Sequence, residues 1–220
     1  MCGRYTVYHD ALVLERAFGL AKVANLAPRF NVAPSQPVPV VGLKPDGTTR
    51  GLALLPWGLL PAWANDPKTQ RPINARGETV HRLATFRDSF RQKRCLIPAS
   101  GYYEWKRDGN HKQPFYIRRK DGGPLAFAGL WDFWTDSTSK LTTCCLITTD
   151  ANELLAPVHN RMPVILNADQ FEGWLNPTTD EATLRRWLAP CPPDGLETFP
   201  VGDYVNKATN EGPQCIEPAE

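Results

Sequence analysis

What the chain does without narrows its reading first. No run of about 18 consecutive apolar residues occurs, which excludes a membrane-spanning helix. The opening residues hold no basic segment followed by an apolar core, so no secretory signal is expected. Charge of either sign is barely in excess. The 25 Lys and Arg against 23 Asp and Glu leave +2, too little to announce a nucleic-acid binder by its sum, though a local basic groove is compatible with it. The six cysteines (Cys2, Cys95, Cys144, Cys145, Cys191 and Cys215) form no CxxC pair and no regular framework. Reduced thiols are therefore expected, with no disulfides, no metal site and no cofactor. Internal repeats and low-complexity segments are also missing. The expected compartment is the cytoplasm, the nucleoid or the nucleus.

What is present is a globular composition. A hydrophobic share of 42% with seven Trp in 220 residues supports one sizeable core, and one domain over residues 1–220 is expected. The stretch DALVLERAFGL (10–20) has apolar residues at helical spacing behind an Asp cap. TVHRLATFRDSFRQK, DANELLAP, NADQFEGWL and TDEATLRRWL read as further helices. Between them lie runs of β character: PVPVVGL, RGLALLPWG, RCLIPASGYYEW, QPFYIRR, PLAFAGLWDFW and KLTTCCLITT. The Asp-Gly turns after YYEWKR and YIRRK read as hairpins between antiparallel strands. The fold class is α+β, with a curved, barrel-like, mainly antiparallel sheet and short flanking helices.

Five stretches stand apart from core and turn sequence. MCGRY places Cys2 behind a removable Met1, so that trimming leaves an α-amine and a thiol on one residue. RFNVAPSQ (29–36) sets Asn31 between apolar neighbours ahead of Pro34. PINARGET (72–79) gathers Asn74, Arg76 and Glu78 in a loop, where Glu78 and Thr79 also suit a helix start. In PASGYYEWK (98–106), Glu104 is either an exposed edge carboxylate or a pocketed one with a raised pKa, suited to proton transfer. In APVHNRMPVIL, His159 sits in a loop beside Arg161, whereas His9, His81 and His111 have no suggestive neighbours.

The order of MCGR, NVAP, PWG, NARGET, RCLIPASGYYEW, QPFYI, AGLW, ITTDAN, HNRMPVIL and EGPQCIEP resembles the SOS response-associated peptidase (SRAP) family, from Met1 to about Pro218. Small departures fall at Gly77, Asn160 and QCIEP, none of them at the central positions. The resemblance implies a protein that recognises abasic sites in single-stranded DNA and shields them by a covalent thiazolidine link through Cys2. On that analogy Cys2, Asn74, Glu104 and His159 are the catalytic residues. Gly3, Arg4, Asn31, Pro34, Arg76, Trp105, Arg161 and Met162 face DNA. The partner is single-stranded DNA carrying abasic sites, the chain acts as a monomer away from membranes, and it is cytoplasmic, nucleoid-associated when on DNA, or nuclear in a eukaryote.

The residue chemistry agrees with that role. An aldehyde and a simple amine give an imine that water reverses. An N-terminal cysteine closes a ring with its own thiol, an intramolecular step for which effective molarities of about 10⁵ M are accessible. Arg4, Arg29, Arg76 and Arg161 are expected as the phosphate track and Trp57, Trp63 and Trp105 as stacking surfaces, with FRQKR (90–94) better read as a solvated helix end. Two rivals use the same residues: a cysteine peptidase or autopeptidase with Cys2 as nucleophile and His159 as base, and a non-covalent single-strand-binding module. An abasic-site lyase activity alongside the link is compatible with the same groups.

Overall fold

The computed structural model describes residues 2–109 and 111–219. In chain order the first half contains β1 (Tyr5–Val7), α1 (Ala11–Phe18), β2 (Arg29–Val32), β3 (Pro37–Leu43), β4 (Arg50–Pro56), β5 (Asn74–Arg76) and α2 (Arg87–Gln92). There follow β6 (Arg94–Ala99), β7 (Gly101–Asp108), β8 (His111–Arg119), β9 (Leu125–Thr135), β10 (Lys140–Asp150) and β11 (Arg161–Pro163). The last third holds α3 (Phe171–Leu175), α4 (Glu181–Arg186) and β12 (Leu196–Pro200), with short 3₁₀ turns at Ala168–Gln170, Asp203–Asn206 and Pro213–Ile216.

The strands make two curved sheets rather than one barrel-like sheet. One runs β12-β8-β7-β1-β2; the other runs β11-β10-β9-β6-β3-β4, with β5 added in parallel beside β10. All other strand pairs within the sheets are antiparallel, and the fold class is α+β. The run RCLIPASGYYEW, which reads as a single strand, breaks at Ser100. Its first half, β6, lies in one sheet and its second half, β7, in the other. Gly101 makes the crossing possible, because a Cβ there would lie 2.3 Å from Tyr116 Oη and 2.6 Å from the Ile117 carbonyl oxygen.

Of the two Asp-Gly turns, the one after YYEWKR does close the β7–β8 hairpin. The one after YIRRK does not join paired strands, because β8 and β9 belong to different sheets. The helix α1 follows its signals: Asp10 accepts the Val13 N–H, Leu14 and Phe18 are buried, and Gly19 ends it with a φ of 61°. Residues 79–86 form successive turns, so that helix shortens to α2. DANELLAP is likewise a turn segment, closed by the Asn152 side chain on the Leu155 N–H. One core packs α1, α3 and α4 against Leu96, Ala128 and Ile147, and a second unites Cys2, Tyr5, Trp57, Tyr102, Phe127, Leu146 and Met162. A third, smaller core sets Tyr103 and Tyr116 under Val205 and Cys215. No helix among the described residues is long and apolar enough to cross a membrane.

Candidate active site

Strand β1 pairs with β7 through Tyr5 and Tyr102, which carries the start of the chain alongside Glu104. From the other side β5 enters beside β10, and Asn74, its first residue, donates from Nδ2 to the Cys2 carbonyl oxygen at 2.8 Å. Three segments far apart in sequence thus meet at Cys2. The Asn74 Oδ1 is buried with no hydrogen-bond partner among the described residues, an acceptor held ready next to the chain start.

Glu104 is not an edge carboxylate. Its residue is 3% exposed, and burial raises its carboxyl from 4.5 to about 7. It is therefore poised to hold or release a proton near neutral pH. Cys2 is fully buried, and its thiol is pushed well above the ordinary range, first by burial and then by the Glu104 carboxylate. The Arg4 guanidinium does not activate this thiol; the N-terminal charge and then the Arg4 backbone N–H favour the thiolate, and burial outweighs both.

His159 is half-buried, and its Nδ1 accepts the Arg161 backbone N–H at 3.0 Å. In the neutral ring that contact puts the proton on Nε2. Burial first, then the N-terminal charge, with Arg107 and Arg161 adding to them, lowers the pKa, so His159 is neutral at pH 7 and donates as imidazole. A cleft of about 460 Å³ opens at Glu104 and His159, lined also by Arg4, Trp105, Arg107, Lys112 and Asn206, with Cys2 and Asn74 outside its lining. Trp105 is fixed in its wall by Nε1 donating to Asn206 Oδ1 at 2.7 Å.

The remaining sequence-derived positions divide. Arg4 lines the cleft while its guanidinium donates to Asn31 Oδ1 at 2.7 Å and to the Val205 carbonyl at 3.0 Å. Asn31 itself is 1% exposed and donates to the carbonyls of Val205, Lys207 and Asn210. Its place is to clip the C-terminal segment onto β2, not to present an open face. Gly3 is half-buried beside Cys2, and Pro34 is half-buried in the turn after β2, outside the cleft lining. Arg76 is exposed on β5. Met162 is fully buried in the second core, so its side chain packs against protein.

Arg161 is not an open cation. It forms ion pairs with Glu78 and with Asp150 at 2.7 Å and donates to the Thr148 carbonyl. Glu78 accordingly serves as its counterion and does not start a helix. Arg29 is held by Gln36 and Glu211. In FRQKR, Arg94 is buried and donates to the carbonyls of Phe90, Arg91, Trp174 and Asn176, and Lys93 pairs with Asp132. Trp57 is a core residue whose Nε1 donates to the Ile73 carbonyl, whereas Trp63 is 59% exposed. Sequence reasoning missed Arg107, Lys112 and Asn206 in the cleft; basic residues on both sides of the KRDGN turn were the available signal. Among the described residues no group of three or more His, Cys, Asp or Glu could hold a metal ion.

Comparison with known proteins converges on one family. The model of the family described as "SOS response associated peptidase (SRAP)" matches residues 1–208. Among curated relatives, the abasic site processing protein YoqW of Bacillus subtilis is 40% identical, with 99% of each chain covered. The abasic site processing protein YedK of Escherichia coli is 29% identical over 86% of this chain and 84% of its own. A crystal structure of a protein from Bacteroides thetaiotaomicron superposes with a TM-score of 0.90 at 26% identity over the whole of both chains. One from Bordetella bronchiseptica gives 0.80 at 27% identity, covering 91% of this chain and all of its own.

Proposed function

The chain belongs to the SOS response-associated peptidase family, and from that premise we propose that it recognises abasic sites in single-stranded DNA and shields them by a covalent thiazolidine through Cys2 once Met1 is removed. Relatives matched along nearly their whole length carry the name abasic site processing protein, which supports the substrate class. The observation that carries the reading is the meeting of Cys2 with Asn74 and with Glu104, the last of which opens into a cleft lined by Arg4, Arg107 and Lys112.

The proposed reaction balances within these groups. The neutral α-amine of Cys2 attacks the aldehyde carbon of the ring-opened sugar and forms a C–N bond. The resulting hydroxyl leaves as water, taking its proton from protonated Glu104 or from His159 Nε2–H. The Cys2 sulfur then attacks the C=N carbon and passes its proton to the Glu104 carboxylate, leaving a secondary amine in a five-membered ring. Both forms of Glu104 are used, which suits a pKa of about 7. In this scheme the buried Asn74 Oδ1 accepts from the amine without adding a charge that would hold it protonated.

The thiol argues against the peptidase alternative. A cysteine nucleophile is activated by a lowered pKa beside a cation or helix N-terminus, whereas Cys2 is raised by burial and faces a carboxylate. Intact-mass spectrometry before and after adding abasic single-stranded DNA tests the proposal. Loss of Met1 and a mass gain equal to the DNA minus one water are expected. A heat-stable adduct formed equally by Cys2→Ser would overturn it, because serine keeps the amine but lacks the sulfur that closes this ring.

A further inference from the structure

We propose that the β7–β8 hairpin carries a separate phosphate-binding subsite, formed by Arg107 and Lys112, that grips the DNA backbone beside the abasic nucleotide. The inference rests on the single-stranded DNA reading above and adds residues that neither the motifs nor the family likeness picked out. Arg107 and Lys112 are direct cross-strand partners in the hairpin register, and both line the cleft that holds Glu104 and His159. Like charges set directly opposite each other on adjacent strands oppose folding.

Neither residue forms an ion pair with a carboxylate among the described residues. Elsewhere on the same sheet, Arg118 is matched by Glu197 and Arg119 by Asp121. Two adjacent cations on one side of a cleft, neither ion-paired among the described residues, make a site for an anionic ligand. Trp105 lies two residues before Arg107 on β7 and therefore projects to the same face, giving a ring next to the cation pair. Arg107 is three residues beyond Glu104, about 10 Å along the strand. A phosphate held there belongs to the strand flanking the sugar that reacts, not to the sugar itself.

The test uses the double variant Arg107→Gln, Lys112→Gln in the full chain. Fluorescence anisotropy with an undamaged labelled single strand measures the dissociation constant across a salt series. Each phosphate contact to a single strand contributes about 0.7 to the salt slope, so losing two lowers the slope by about 1.4 and weakens binding about 25-fold at 0.1 M salt. The melting temperature is expected to stay level or rise, since a repulsive pair is removed. An unchanged slope and affinity would overturn the subsite. Inorganic phosphate is expected to displace the strand from the native chain more strongly than chloride at equal ionic strength, and an equal effect of the two anions would overturn the subsite as well. The covalent reading fails separately: a native chain that forms no adduct with abasic DNA refutes that chemistry, while the anisotropy contrast still decides the subsite.

Discussion

Replacing Glu104 by Gln removes a carboxyl group that is costly to ionise where it sits. The residue is 3% exposed, and burial lifts its carboxyl from 4.5 to about 7. Between those pH values the native state binds more protons than the unfolded chain, so stability falls as pH rises. The contribution is fully present below about 4.5 and gone once pH passes the native value near 7. At 1.36 kcal/mol per pH unit the gap corresponds to about 3 kcal/mol, and so little exposure leaves no solvent screening to discount. For a chain of this size that is roughly 6–12 °C in melting temperature. Urea unfolding of the native chain and Glu104→Gln at pH 5 and pH 8 provides the assay. The variant is expected to lose about 2.5 kcal/mol less than the native chain between the two pH values, because a part of the contribution is already gone at pH 5. Parallel pH profiles would refute the reasoning, since every other titrating group is common to both proteins.

Other substitutions probe the framework around that carboxyl. Asn31→Ala strips Arg4 of a partner and removes one donor from each of three carbonyls of the C-terminal segment, and about 2–3 kcal/mol of stability is expected to go, with faster proteolysis after residue 200. Gly101→Ala drives a methyl into Tyr116 and is expected to cost about 3 kcal/mol or to prevent folding, read from soluble yield and thermal melts. Glu78→Gln frees Arg161 from one of its two carboxylates, and single-strand affinity is expected to rise about 5-fold at 0.1 M salt as one phosphate contact is gained.

The elements that could be read from the sequence are those whose signal is local. The helix α1 shows its Asp10 cap and Gly19 stop, and β3 and β10 show continuous β-forming runs bounded by turns. What stayed hidden depends on partners distant in the chain. The change of sheet at Ser100 is invisible until Tyr116 is seen to lie against Gly101. Residues 79–93 carry apolar spacing suited to a helix, yet Glu78, the would-be first-turn acid, is drawn off to Arg161. For the site, the motifs indicated Cys2, Asn74, Glu104 and His159, but not that Arg161 is neutralised by two carboxylates or that Met162 and Trp57 are core. Whether a cation is open or occupied is decided by its tertiary neighbours, which is why Arg107 and Lys112 escaped notice while Arg161 drew it.

The clasp between the two ends of the chain also sets a timetable. Arg4 docks on the carbonyls of Val205 and Asn206, about 200 residues further on. At about 5–20 residues per second, a ribosome needs roughly 10–40 s to deliver that far segment. For that whole interval the Arg4 guanidinium lacks its contacts with the C-terminal segment. The Arg4 clasp therefore closes only when synthesis is nearly complete, long after the strands that carry Asn74 and Glu104 have emerged.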